Sequence, residues 1–411
     1  MFAQGTRIRR VAGIVPILRR SRPALIPVKI HIGRDRYLSF SATTLIGADP
    51  ATWLGILWRY GRGMSWPFIP KAIILTWLVL LNTPLVWWER MRYDRRIRRA
   101  KVTAPLFIIG HQRSGTTYLH YLIGKDPQFG YLSVKESFMP WLYLTLAPLL
   151  RRMYAKALPD KRPMDDLRMG VDLPTEPEYS LGNMTASTMI PGYYFPRRML
   201  EVFRRNVLFE DERARKSWQR TLRYFMQKLT LRHGGKPLVL KSPENLARVK
   251  EILEVFPDAR FLHIMRDPYR VFFSTERLYG ITLPLVTMQH VKGDEVEEAL
   301  LESYRLMFAK FFRDKAAIPV GQLAEVRYED LIGNEEAVLE KAYAQLGLGG
   351  FEAARPHILA EVKSYAGYRT NTYAYPPERM RLVRERWGPV FDALGYPKDV
   401  PLSAKQQNAQ A

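Results

Sequence analysis

Between residues 104 and 346, short apolar runs alternate with longer segments in which apolar residues recur every three or four positions. The runs Pro105–Gly110, Leu238–Leu240, Arg260–Met265 and Leu323–Arg327 predict strands. Helices are predicted over Thr116–Gly124, over Arg213–His233, from Ser242-Pro243 to about Phe256, after Pro268, over Val296–Lys315 and over Glu335–Leu346. The second of these places Trp218, Leu222, Phe225 and Leu229 on one face, and Gly234-Gly235 ends it. Alternation of this kind predicts an α/β fold, a P-loop-like parallel sheet flanked by helices.

Upstream of Lys101 the pattern is different. Ala72–Trp88 holds 17 uncharged residues between Lys71 and Glu89, just under the length that spans a bilayer with ease. Asn82, Thr83 and Pro84 interrupt it, and Trp66, Trp87 and Trp88 stand at its edges where interfacial anchors belong. Seven Lys or Arg residues follow from Arg90 to Lys101. The pattern predicts a membrane-associated helical segment, and a tilted span, a re-entrant or interfacial helix and a buried core helix all fit it. The arginines of the first 22 residues flank only a short apolar stretch, Val11–Leu18, without the long apolar core and cleavage site of a secretory signal. The chain therefore divides into a basic N-terminal region over 1–103 with its apolar segment at 72–88, a main domain over 104–400, and a tail over 401–411 expected to be disordered.

Composition narrows the chemistry. With 47% hydrophobic and 25% charged residues the chain is neither wholly disordered nor fibrous. A net charge of +23 favours an anionic partner: nucleic acid, acidic lipid or a phosphorylated small molecule. No nucleic-acid-binding motif is present, and the basic run follows an apolar segment, which points to acidic lipid. The chain has no cysteine, which excludes disulfides, thiol nucleophiles and cysteine-based metal sites. Its seven histidines lack ligand spacing, so no metal is expected.

The candidate chemistry sits at three predicted strand ends. Gly110-His-Gln-Arg-Ser-Gly-Thr-Thr117 joins a strand to a helix and matches the glycines and final hydroxyl of a P-loop, but Thr116 stands where a P-loop has lysine. Backbone N–H groups of such a turn, with the helix N-terminus behind them, hold a tetrahedral oxyanion. Here Arg113 supplies the cation, and Ser114, Thr116 and Thr117 supply hydroxyls around Gly115. Lys241, in Leu238-Val-Leu-Lys-Ser-Pro-Glu244, ends the second strand. Arg266 ends the third, with Ser274 two turns into the next helix, a second clamp for phosphate. In an open α/β sheet all three clusters should line one crevice at the carboxyl ends of the strands.

These motifs resemble those of sulfotransferases that use 3′-phosphoadenosine-5′-phosphosulfate (PAPS). The segment FIIGHQRSGTTYLHYLI is similar to the 5′-phosphosulfate motif of that family, and FLHIMRDPYRVFFS to the motif that grips the 3′-phosphate, here through Arg266 and Ser274. LVLKSPENLARVKEILEVFPDAR and Arg162–Tyr179 resemble the bacterial members, over roughly Ala104–Pro397. Relatives tend to carry a run of acidic residues where this chain has Glu176-Pro177-Glu178.

The resemblance implies PAPS as donor, no metal, a carboxylate as general base, and stabilisation of the leaving phosphate by Arg113 and Lys241. Glu136, in a Lys-Glu pair 23 residues after Arg113, is the expected base, with Glu176, Glu178 and Asp165 in reserve and His111 as a further possibility. The Tyr-rich Lys363–Pro377, with Lys363 and Arg369, fits either a loop closing on the nucleotide or a C-terminal strap. A lipid, glycolipid or carbohydrate hydroxyl (or amine) is the expected acceptor, and the catalytic domain is expected on the cytoplasmic face. Two other classes compete: a P-loop kinase or NTPase, disfavoured by Thr116, and a non-enzymatic basic protein of membrane surfaces, which leaves the three motifs unexplained.

Overall fold

A computed structural model describes residues 30–399 apart from 41, 163, 166 and 368–370. The expected tail at 401–411, the arginines before residue 23, and Arg369 lie outside the described residues.

Four parallel strands, β1 (Leu106–Ile109), β2 (Val239–Lys241), β3 (Arg260–Met265) and β4 (Leu323–Arg327), form one sheet in the order β2-β1-β3-β4. Each residue of β1 is fully buried because the strand lies between two others and both faces are covered. Phe107 and Ile109 join one apolar cluster and Leu106 and Ile108 another, the two-residue period of a strand dividing it between the two layers of helices. Register places Lys241 beside Ile108, and His263 beside Ile109 on the other side, so the three motif-bearing strand ends emerge together.

The predicted helix after Ser242 is in two pieces. A 3₁₀ turn over Pro243–Ala247 precedes the helix Val249–Val255. The backbone leaves the helical region at Arg248 (φ −121°, ψ 16°), whose guanidinium turns inward, fully buried, onto Glu178 at 2.8 Å and over the Trp218 ring. Tertiary pairing overrides local periodicity there.

In the N-terminal region α1 (Pro50–Tyr60) starts with Asp49 accepting from the Thr52 N–H, with Pro50 in the first turn. After a tight turn, α2 (Ile69–Arg99) runs for 31 residues, about 46 Å at 1.5 Å per residue. The apolar segment and the Arg-rich segment are thus one helix. The Asn82-Thr83-Pro84 triplet does not break it. Thr83 bonds back to the Val79 carbonyl (3.0 Å), and Asn82 reaches sideways to the Ile46 carbonyl (3.1 Å). The helix is long and apolar enough to cross a membrane, yet Leu75, Val79 and Val86 on one of its faces belong to the same core cluster as Phe107 and Ile109.

Candidate active site

Strand β1 ends at Ile109 and helix α3 begins at Thr116 (Thr116–Ile123), and the intervening turn is shaped by its backbone. Gly115, at the helix N-cap, has φ +95°, and a Cβ there would sit 2.3 Å from Tyr328. Arg113 also adopts a left-handed conformation, φ +73°, a strained choice for a non-glycine residue that aims its side chain across the turn. Its Nε donates to Ser274 Oγ (2.7 Å) and its Nη1 to Asp165 (2.6 Å). The loop expected from the sequence and the hydroxyl of the third motif are therefore in direct contact.

Two cavities meet at this loop, and Arg113, Thr116 and Thr117 line both. The first, about 440 Å³, is lined by Gly115, Arg266, Arg270, Ser274, Tyr328 and Lys363 among others. Arg266 donates to the Arg113 carbonyl (3.1 Å) and stacks on Tyr328 with its guanidinium 3.8 Å from the ring centroid. Burial, with Arg270 and Arg113 close by, lowers its pKa. Three guanidiniums gathered on one wall make a site that an anion would stabilise. Tyr373, from the segment read as loop or strap, donates to Ser274 Oγ (3.1 Å), and Arg270 lies over the Tyr373 ring and bonds the Asn371 carbonyl. The tyrosine-rich segment thus packs over the first cavity.

The second cavity, about 140 Å³, has a different chemistry. Glu176, Glu178 and Glu244 stand at one end, and Leu278, Leu283 and Val286 from the helix Pro268–Val286 supply an apolar flank. Lys241 lines neither cavity. From behind, its ammonium donates to Thr117 Oγ1 (3.3 Å) and pairs with Glu176, so it links the anion loop to the carboxylate side. Glu178 is taken up by the buried Arg248 and by the Met189 N–H (2.8 Å). Burial, and then the charges of Glu178 and Glu176, push Glu244 up to about 7, while Ser242 and Tyr193 donate to it.

Glu136 is not brought to this cleft. Its carboxylate accepts from the N–H (3.1 Å) and hydroxyl (2.7 Å) of Ser133, closing a capping box at the helix Val134–Ser137, and it pairs with Arg232 at 3.1 Å. The sequence Ser133-x-x-Glu136 carries that signature, and the structure places Glu136 in that capping role. Ser114 is buried beneath the loop and His111 beneath it too, its ring against Tyr304 and its pKa lowered to about 4 by burial. The sequence reading missed Arg162, Arg270, Tyr328 and Glu244. Arg162 reaches Thr117 Oγ1 (3.1 Å) from a loop without periodicity. Tyr328 follows the end of β4 and Glu244 follows β2 closely, so the strand-end rule that found Lys241 and Arg266 could have found them. Among the described residues no group of three or more His, Asp or Glu side chains could hold a metal.

A parallel sheet with an anion loop after its first strand and arginines at a neighbouring strand end defines an α/β protein with a candidate anion site at the carboxyl edge. Residues 105–352 match the profile of the sulfotransferase family. The chain is 30% identical over 388 residues to the omega-hydroxy-beta-dihydromenaquinone-9 sulfotransferase Stf3 of Mycobacterium bovis, covering 91% of this chain and 97% of that one. The Mycobacterium tuberculosis protein of the same name matches equally. The fold is similar to that of the sulfotransferase STF9 from Mycobacterium avium, with a TM-score of 0.62 and 17% identity over 85% of this chain and 97% of that one. It is also similar to STF1 from Mycobacterium tuberculosis H37Rv, with a TM-score of 0.59 and 18% identity over 86% and 94%. The chain belongs to the sulfotransferase family and is an enzyme that transfers sulfate. The kinase and non-enzymatic readings fall.

Proposed function

We propose that the enzyme moves a sulfuryl group from PAPS to the hydroxyl of a membrane lipid of the hydroxylated menaquinone type. The observation that carries this reading is the pair of cavities divided by one loop, cationic on one side and carboxylate-bearing with an apolar flank on the other. The first cavity has the size and charge for a nucleotide. In it Arg266 and Ser274 read the 3′-phosphate, and Gly115, Thr116 and Thr117 at the start of α3 cradle the 5′-phosphosulfate. The second takes the acceptor, as the substrate named for the mycobacterial relatives suggests.

In this reading Glu176 is the base. It is tied through Lys241 to Thr117, one of the residues common to both cavities. It takes the acceptor hydroxyl proton as the oxygen–sulfur bond forms and the bond from sulfur to the phosphate oxygen breaks. Arg113 and Lys241 stabilise the charge left on the adenosine 3′,5′-bisphosphate. The catalytic domain faces the cytosol, in keeping with the basic C-terminal half of α2.

Calorimetry with adenosine 3′,5′-bisphosphate, AMP and ATP tests the donor. The bisphosphate should bind at least tenfold tighter than AMP, and Arg266→Ala should erase that preference. Equal affinities in the wild type would refute the assignment. Mass spectrometry of lipid extracts from cells with and without the protein tests the acceptor through a sulfate-sized mass difference.

A further inference from the structure

The N-terminal helix α2 presents two faces with opposite fates. Inward, Ala72, Leu75, Val79 and Val86 are buried in the main core, and Lys71 and Glu89, at the two ends of the apolar stretch, are also buried. Glu89 pairs with Lys228 (2.5 Å), and Thr76 accepts from the Trp53 indole (2.8 Å). Outward, Ile73, Trp77, Leu81, Leu85, Trp88 and Met91 are exposed at helical spacing, Trp77 at 63% and Leu81 at 69%. Trp58 in α1 and Trp66 in the turn before α2 extend the strip, at 85% and 80% exposed. Single exposed apolar side chains are ordinary, whereas a continuous row from Trp66 to Met91, about 37 Å long, is not.

We propose that this face is a docking surface for an anionic lipid bilayer, and that α2 lies in the plane of the membrane and does not cross it. A spanning α2 would carry into hydrocarbon the domain surface to which its inner face is fastened, turn after turn, from Lys71 to Glu89. Lying flat buries only the outer face, leaving the inner one where the fold holds it. Charge selects the lipid. The same helix continues into Arg90, Arg92, Arg95, Arg96, Arg98 and Arg99, all exposed, against Asp94, which is already paired with Arg98. A protein partner would need a matching acidic groove of the same length, and a bilayer offers apolar depth beside anionic headgroups without one.

The docking face is also tied to an element that flanks the proposed acceptor cavity. The helix Pro268–Val286 supplies the apolar flank of that cavity through Leu278, Leu283 and Val286. Just beyond its end, the Met288 carbonyl accepts from the Ser65 N–H (3.0 Å), and the His290 N–H donates to Ser65 Oγ (2.9 Å). The apolar end of the cavity is thus fastened to the turn that carries Trp66. This last link rests on the lipid-acceptor reading above. The docking geometry does not.

The natural absence of cysteine makes single-cysteine labelling of the full chain clean. Arg62→Cys and Arg95→Cys, on either side of the apolar stretch, are probed with a membrane-impermeant maleimide in right-side-out and inverted membrane vesicles. Both should label from the same side, and labelling from opposite sides would mean that α2 spans. In flotation, the purified protein should rise with phosphatidylglycerol-containing vesicles and several-fold less with phosphatidylcholine alone. The double substitution Trp77→Glu and Leu81→Glu, at exposed positions, should abolish flotation with an unchanged melting curve. Failure of the wild type to float, or self-association through this face in the absence of lipid, would overturn the proposal. Sulfate transfer to a detergent-dispersed hydroxylated menaquinone needs no bilayer, so it tests the acceptor separately. Activity there with no flotation would leave the acceptor reading standing and remove this one.

Discussion

Three candidate carboxylates differ in what their neighbours allow them to do. Glu178 lines the acceptor cavity but is held in two hydrogen bonds by a fully buried arginine, Glu136 caps a helix, and Glu176 lines the cavity while paired with the lysine that touches the loop. Glu176→Gln should therefore lower kcat by about 10²-fold or more with bisphosphate affinity little changed. Glu136→Gln should leave kcat within about threefold and lower the melting temperature, because the cap and the Arg232 pair are lost. The reverse pattern in steady-state kinetics would return the role to Glu136. Glu244 permits a separate test by pH. Its folded pKa, pushed up to about 7, exceeds that of an unfolded glutamate, so the native state holds a proton that the unfolded chain has released. Its contribution is fully present below the unfolded value and is lost as pH rises through 7. Glu244→Gln mimics the protonated form, so it should change little at pH 4 and raise stability at pH 8, by on the order of 1–3 kcal/mol in urea titrations. Equal effects at both pH values would show that the carboxylate is not shifted. The sequence made Arg113, Arg266 and Ser274 legible because each stands in a motif fixed by a strand end. It hid Arg162, which reaches Thr117 from a loop, and at Glu136 it fitted two explanations at once, a Lys-Glu pair and a capping box with Ser133.

At the scale of elements, strands were the most readable feature, since a parallel strand buried on both faces shows as an unbroken apolar run. The predicted Arg260–Met265 and Leu323–Arg327 coincide with β3 and β4, although β4, at the sheet edge, alternates and exposes Glu325. Helix α2 was half legible. Its apolar length was plain, but nothing local to it said that the Arg-rich segment continues the same helix, or that one face of it would be buried against the helix Glu212–Arg232, far away in sequence. That contact turns on an ion pair with almost no exposure on either side, Lys228–Glu89, whose carboxylate also accepts from the Thr145 N–H (2.9 Å). Burial lowers the lysine pKa to about 8, close enough to neutrality that the pair depends on its geometry. Lys228→Met removes one partner and leaves a buried carboxylate uncompensated, so thermal or urea unfolding should show a loss of about 3–5 kcal/mol. Adding Glu89→Leu should restore part of it. A double variant no better than the single one would assign the loss to packing around the lysine stem.

At the scale of the whole molecule, the sequence reads as a catalytic domain preceded by a separable membrane segment, because motif density begins at residue 104 and the apolar helix ends just before it. The packing joins the two. Trp53, Ile56, Tyr60, Phe68, Leu75 and Val79, all essentially unexposed, belong to the cluster that also holds Phe107 and Ile109 of the central strand. Polar contacts add to it: Asn183 donates to the Thr44 carbonyl (2.8 Å), and Tyr194 accepts from the Leu45 N–H (3.2 Å). Each large apolar side chain buried is worth roughly 1.5–3 kcal/mol, so these six alone approach the whole margin by which a domain is stable, about 5–15 kcal/mol. Thr44 also lines the proposed acceptor cavity, which places part of the site's wall in the same N-terminal region. A chain cut to residues 102–411 should then lack a cooperative thermal transition and aggregate on expression, although it retains every motif shared with the family. Circular dichroism melts of the truncated and full chains decide the matter. A truncated protein that melts cooperatively near the full-length temperature and binds adenosine 3′,5′-bisphosphate would show that the catalytic domain ends where the motifs do, and that the N-terminal helices are an attachment to a complete fold.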